Sequence, residues 1–308
     1  GVTRNLTEGM AGYDLNPVFS PDGRFVAWES MERDGYEADQ IRLFVLDLTN
    51  NSKTYLTEGW DNDVHNLAWN PDGTGLWFTT AVEACDQIAF ISLADKKVKI
   101  VTNGIHDYQN VIPTGDALIA TRMSMSQPTE LYRVDPNSGE ARMITATNTE
   151  LLAKLDFGKP VKRWVTTTDN QKMLTWVVLP PNFDSTQSYP TLLYCQGGPQ
   201  STVSQFWSYR WNFQMMAANG YVIVAPNRRG VPGFGKAWNE QISGDYGGQN
   251  MKDYLAAIDE VAKESWADEN RLGAVGASYG GFSVYWLAGN HQKRFKAFIA
   301  HDGMFNLE

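Results

Sequence analysis

The stretch Gly276-Ala277-Ser278-Tyr279-Gly280-Gly281 sets one hydroxyl between two glycines, directly after the small apolar run from Leu272 to Val275. That spacing suits a nucleophile elbow, in which a buried strand turns so sharply into a helix that the serine backbone is strained and its Oγ stands out above the sheet. Gly276 and Gly280 lie two residues before and two after Ser278, where bulk would collide as strand and helix close up. A serine at a helix N-terminus also has free backbone N–H groups and partial positive charge beside it, which suits an oxyanion. The chemistry implied is acyl transfer. It needs a base for the serine proton, a carboxylate to orient that base and donors for the oxyanion. One donor is the backbone N–H of Tyr279, and the second is expected from the loop Gln196-Gly197-Gly198-Pro199, whose glycines let the backbone approach a substrate oxygen.

Base and carboxylate are expected after the serine, in the order Asp or Glu and then His. The short stretch after Ser278 holds His291, read as a solvent-facing structural residue ending the elbow's helix, and His301-Asp302 at the tip of the next strand. No histidine follows Asp302, so His301 is read as structural or substrate-lining. His65 and His106 fall in the first half of the chain and read as solvated or structural.

The elements that must hold this loop in place form a mostly parallel α/β sheet. A hairpin is expected from strands over 161–168 and 174–179, followed by a strand over 191–195 and a helix over 209–218 that stops at Asn219-Gly220. A strand over 221–225 comes next. Met251, Tyr254, Leu255, Ile258, Val261 and Ala262 recur at helical spacing. Strands over 271–276 and 297–300 flank the helix of the elbow.

The first 150 residues are different: they repeat. Phe19-Ser20-Pro21-Asp22-Gly23 recurs as Trp69-Asn70-Pro71-Asp72-Gly73 fifty positions later, and a weaker copy surrounds Pro113-Thr114-Gly115-Asp116. Each predicts a tight turn between two strands, with Gly taking positive φ. A third strand follows each turn, and closing strands are expected at Leu56-Thr57, Val101-Thr102 and Ile144-Thr145. Leu6-Thr7-Glu8-Gly9 matches Leu56-Thr57-Glu58-Gly59 and is expected to be the last strand of a preceding unit. Four short strands at this period are the signature of propeller blades, and three blades do not close a ring.

With 308 residues, two domains are expected, a partial β-propeller over 1–150 and a partial α/β domain over 151–308. A net charge of −9, without clustered Lys and Arg, argues against nucleic acid and against an anionic membrane surface. No run approaches the length of a membrane span. Cys85 and Cys195 read as buried thiols in different domains, and no metal site can be built from them.

Propeller repeats followed in order by Gln196-Gly197-Gly198-Pro199, Asn227-Arg228-Arg229-Gly230 and Gly276-Ala277-Ser278-Tyr279-Gly280-Gly281 make the chain resemble the prolyl oligopeptidase family of serine peptidases. The likeness is strongest to its dipeptidyl peptidase 5 and acylaminoacyl peptidase branch. The resemblance implies a propeller of about seven or eight blades over an α/β-hydrolase domain, admitting short or unfolded peptides. It implies Ser278 as nucleophile, the N–H groups of Tyr279 and Gly198 as oxyanion donors, and the Tyr279 ring as a wall of the pocket before the scissile bond. Gln196 stands where some branches carry a tyrosine that assists the oxyanion hole. The family's acid and histidine would fall beyond residue 308, which predicts a chain nearly inactive by itself. Glu29, Glu32 and Glu37 are candidates for holding a substrate amino group, against a solvated loop. The partner implied is a short peptide substrate, with no cofactor, a homodimer left open, and a periplasmic or secreted location. Two other readings stand beside this one: a carboxylesterase or thioesterase using the same elbow, and a propeller binding peptide or glycan beside a non-catalytic scaffold.

Overall fold

The computed structural model describes residues 1–306, and the last two residues of the expected second domain lie outside them. The repeats fold into three four-stranded antiparallel sheets, in each of which strands adjacent in sequence are paired. The first holds β1 (Asp14–Phe19), β2 (Phe25–Ser30), β3 (Arg42–Asp47) and β4 (Ser52–Tyr55). The second holds β5 (His65–Trp69), β6 (Gly75–Ala81), β7 (Asp86–Ser92) and β8 (Val98–Ile100). The third holds β9 (Asp107–Pro113), β10 (Leu118–Ser124), β11 (Gln127–Val134) and β12 (Ala141–Met143). They are blades of a β-propeller segment. Consecutive blades share apolar cores: Leu43, Leu56, Trp69, Leu76 and Phe78 lie in one, and Trp77, Ile88, Tyr108, Leu118 and Val134 in the next.

The repeat extends to individual hydrogen bonds. Asp22 Oδ1 accepts from Ser20 Oγ at 2.6 Å and from the Arg24 N–H at 3.0 Å, and Asp72 Oδ1 accepts from Asn70 Nδ2 at 2.6 Å and from the Thr74 N–H at 2.9 Å. Gly23 and Gly73 both sit at φ +72°. The aspartate thus holds the tight turn from within, where only glycine takes the positive φ without a Cβ penalty.

The Leu-Thr pairs are not strands. Each follows a short fourth strand and fastens it to the third. The N–H groups of Leu43, Ile88 and Leu131 donate to Oγ1 of Thr57, Thr102 and Thr145 at 3.0, 2.9 and 2.9 Å. The carbonyls of those three residues accept from the N–H of Leu56, Val101 and Ile144 at 2.8, 2.8 and 2.7 Å. The threonine hydroxyl so replaces the ladder where the backbone turns away. Leu6 to Gly9 are likewise a turn and not a strand: Met10 N–H donates to Thr7 O at 3.0 Å, as Trp60 N–H does to Thr57 O. The two segments match because both turn.

The chain divides into two compact units. One contains Gly1–Met123, Thr129–Ala146 and Pro232–Lys236; the other contains Ser124–Pro128, Thr147–Val231 and the chain from Ala237 onward.

After α1 (Thr149–Leu152) comes a six-stranded sheet built from β13 (Lys159–Thr166), β14 (Lys172–Leu179), β15 (Tyr189–Cys195), β16 (Val222–Pro226), β17 (Ala267–Ala277) and β18 (Phe295–His301). Its order is β13-β14-β16-β15-β17-β18. The first two strands are antiparallel to their neighbours, and β16, β15, β17 and β18 run parallel. This is the N-terminal part of an α/β-hydrolase sheet. Helix α2 (Phe213–Ala218) lies between β15 and β16, α3 (Lys236–Glu240) and α4 (Gln249–Val261) between β16 and β17, and α5 (Tyr279–Asn290) between β17 and β18. Helix α4 buries Met251, Tyr254, Ala257, Ile258 and Val261 at helical spacing.

Helix α2 is shorter than the expected span over 209–218. Asn212 stops it at the N-terminus by accepting from the Met215 N–H at 3.0 Å, and Ser208 Oγ takes the N–H groups of Arg210 and Trp211 at 3.2 and 2.9 Å. Short polar side chains here satisfy backbone donors outside a helix. Among the described residues no helix is long and apolar enough to cross a membrane.

Candidate active site

Strand β17 delivers the chain to Ser278, whose backbone stands at φ 56°, ψ −121°. That region is one an L-residue enters only under strain. Ser278 is exposed at the turn between β17 and α5. Its N–H donates to His301 O at 3.0 Å, and its own carbonyl accepts from the Phe282 N–H at 3.0 Å, the first bond of the helix. The strain is imposed from both sides. A Cβ on Gly276 would lie 2.6 Å from Gly280 O and 2.7 Å from Cys195 O; one on Gly280 would run into the Cys195 carbonyl.

The loop after β15 lies against the turn. A Cβ on Gly197 would be 3.1 Å from Ala277 O and 3.8 Å from Ser278 Cβ, so this glycine permits the close approach. Gly198 is exposed, at φ +112°. Gln196 is half-buried, and its Nε2 donates to Ser201 Oγ at 2.9 Å.

Tyr279 is wholly buried. Its hydroxyl lies 2.8 Å from Tyr246 O and 2.7 Å from Asn250 Oδ1, and its ring stacks on Phe282 at 5.6 Å between centroids. Its amide therefore sits at the elbow while its ring is anchored behind it. Burial raises the hydroxyl well above the usual tyrosine range, so it stays protonated.

The motif Asn227-Arg228-Arg229-Gly230 proves to be a junction. Asn227 closes a two-bond pair with Val203: its Oδ1 accepts from the Val203 N–H at 2.8 Å, and its Nδ2 donates to Val203 O at 3.0 Å. Arg229 is 3% exposed and holds fully buried Asp253 at 2.7 Å and Asp169, in the hairpin turn, at 2.8 Å. Burial pushes the Asp253 carboxyl up against the pull of Arg229, whereas Arg229, chief among its partners, holds the better-solvated Asp169 down at about 2. Neither arginine's role is legible in the sequence, because the partners lie tens of residues away.

The histidines are dispersed. His301 presents its carbonyl to Ser278 and its exposed ring to Asp302, with Nε2 3.0 Å from Oδ2. His291 is half-buried rather than solvent-facing: its Nδ1 accepts from the Phe295 N–H at 3.0 Å and its ring meets Phe298 edge-on. His65 Nδ1 lies 3.9 Å from Glu29 Oε2. Burial alone would lower His65, but Glu29, Asp63 and Asp86 together hold it above its ordinary value. His106 is brought down to about 4 by burial, with Arg122 adding to it.

Glu29 is no loop residue. It lies in β2, 4% exposed, and accepts from Asn16 Nδ2 at 2.9 Å and from the Asn66 N–H at 3.1 Å. Irregular pairing at Asn16 and Asn66, both at positive φ, aims those donors at the carboxylate. Glu32 and Glu37 are exposed, Glu32 beside Lys236 Nζ at 3.2 Å.

Comparison with known proteins fits this geometry. The chain aligns over its whole length with Dipeptidyl-peptidase 5 of Porphyromonas gingivalis at 56% identity and of Porphyromonas endodontalis at 59%, covering 45% of each. It thus spans about half the length of the curated relatives it matches. An acylaminoacyl peptidase of Pyrococcus horikoshii superposes on 92% of the chain, over 44% of its own length, with a TM-score of 0.81 at 24% identity. Dipeptidyl peptidase 4 of P. gingivalis does so over 92% of the chain and 40% of its own length, with a TM-score of 0.72 at 22% identity. Both share the fold. Residues 207–308, which carry the strained serine, match the model of the Prolyl oligopeptidase family.

Proposed function

We propose that the chain is part of a serine exopeptidase of the dipeptidyl or acylaminoacyl type, with residues 1–150 contributing to its propeller and 151–308 to its peptidase domain. The observation that carries this reading is the backbone of Ser278, held exposed at φ 56°, ψ −121° by two glycines that no larger residue can replace. Strain of this kind persists only where surrounding structure enforces it.

In the proposed reaction Ser278 Oγ attacks the scissile carbonyl and gives its proton to a histidine base. The oxyanion is met by the N–H groups of Tyr279 and Gly198, with Gln196 beside them. Collapse expels the amine, which takes the proton, and water then hydrolyses the ester on Ser278. The base and its carboxylate are proposed to lie beyond residue 308, as the resemblance implies. Tyr279 acts here through its amide, with its buried ring as a brace. The substrate is a short peptide.

A full-length protein carrying this chain should hydrolyse dipeptidyl or N-acyl-aminoacyl anilides and be labelled by a peptidyl phosphonate at Ser278, and S278A should do neither. Ester hydrolysis without anilide hydrolysis would favour an esterase. No labelling of the wild type would leave a non-catalytic scaffold.

A further inference from the structure

Arg228 is fully buried, yet among the described residues no carboxylate pairs with it. Its guanidinium is bonded to neutral acceptors alone. Nη2 donates to Pro199 O at 3.0 Å, Nη1 to Arg229 O at 3.0 Å and Nε to the Tyr254 hydroxyl at 3.3 Å. Its Cζ lies 4.9 Å from the centre of the Tyr279 ring. A buried cation without a counter-ion is costly to the fold, unlike its neighbour Arg229, which is neutralised by two aspartates.

The contacts of Arg228 show where that charge is directed. Pro199 follows Gly198, and Tyr279 follows Ser278. Arg228 therefore spans the two segments whose N–H groups are proposed to hold the oxyanion, gripping one by its carbonyl and the other by its ring face. Tyr254 closes the arrangement. Its hydroxyl, pushed up to about 12 by burial, stays protonated and lies 3.5 Å from Gln196 O, at the start of the same loop.

We propose that Arg228 is a positioning residue for acyl transfer at Ser278: it fixes the loop 196–199 against the elbow and supplies a positive field beneath the developing oxyanion. The inference rests on the serine peptidase reading above. Arg228 touches no substrate, so its effect should fall on the transition state and not on ground-state binding. Preorganised charge of this kind is worth most where water is excluded.

The test uses a full-length protein carrying this chain, with Arg228→Met and Arg228→Lys. Loss of an oxyanion donor typically costs about 10² to 10³ in turnover. Arg228→Met is expected to lower kcat about 10²-fold with KM within about threefold, and to slow phosphonate labelling of Ser278 in proportion. Arg228→Lys keeps the charge but not the bridge to Pro199, and should recover about tenfold of that loss. Wild-type turnover in Arg228→Met, a loss carried by KM, or no recovery with lysine would overturn the proposal. Failure of both variants to fold would overturn it as well, leaving Arg228 to the scaffold. An unlabelled wild type would sink the parent reading, whereas equal labelling of wild type and Arg228→Met would sink the role of Arg228 alone.

Discussion

The N–H of Ser278 donates to the carbonyl of His301 at 3.0 Å, so the backbone of one strand tip pins the elbow while the side chain of His301 turns to Asp302. The bond needs no imidazole. His301→Ala in the full-length protein should therefore keep peptide hydrolysis within about tenfold of wild type, because loss of a general base typically costs on the order of 10⁴ or more. Steady-state kinetics decide it, and a drop of that larger size would make His301 the base.

The strain at Ser278 has a measurable cost. Glycine tolerates φ 56°, ψ −121° far better than serine does, and conformations of this kind cost about 1–3 kcal/mol. Ser278→Gly should abolish activity and raise the melting temperature by several degrees, whereas Ser278→Ala should abolish activity with no such gain. Calorimetry on the two inactive variants separates strain from any effect of losing the hydroxyl.

Arg229 and Asp253 are both buried and joined at 2.7 Å. Asp253→Ala leaves the guanidinium without its buried partner and should destabilise the protein by about 3–5 kcal/mol. The double replacement Arg229→Met with Asp253→Leu should recover much of that loss, since it removes both charges together. Denaturant unfolding of the wild type and the two variants checks this, and equal loss in single and double variants would refute the charge argument.

His106 gives a pH prediction with a definite sign. Burial holds it at about 4 when folded, while the unfolded chain titrates near about 6.5. A depressed histidine contributes stability that is present above the unfolded value and lost as pH falls from about 6.5 to about 4. His106→Leu should flatten the acid decline of the melting temperature across that window. A parallel decline in wild type and variant would assign the loss to other groups.

What the sequence disclosed depended on how local each constraint is. Asp22 and Gly23 determine their turn within four residues, and Gly276 and Gly280 reveal a crossing of backbones that no other side chain allows, so both could be read directly. The α/β alternation and the serine at its turn followed from periodicity and from those glycines. Leu56-Thr57 has the pattern of a strand because apolar-Thr pairs suit strands, and nothing local reveals that Thr57 Oγ1 accepts from the Leu43 N–H. Helix α2 is shorter than its apolar run suggests because the caps Ser208 and Asn212 compete with that run. Glu29 looked solvated because its donors come from irregular pairing in two different blades. Arg228 was present in a recognised motif, but its meaning lies in Pro199 and Tyr279, distant in sequence.

Each blade carries its own threonine fastener, made from a residue just past its own fourth strand. The hydrogen bonding of each edge is thus finished locally even though the apolar cores are shared between blades: damage at one hydroxyl should loosen one edge first, and a gene could lengthen or shorten the array by whole repeats without inventing a new way to finish them.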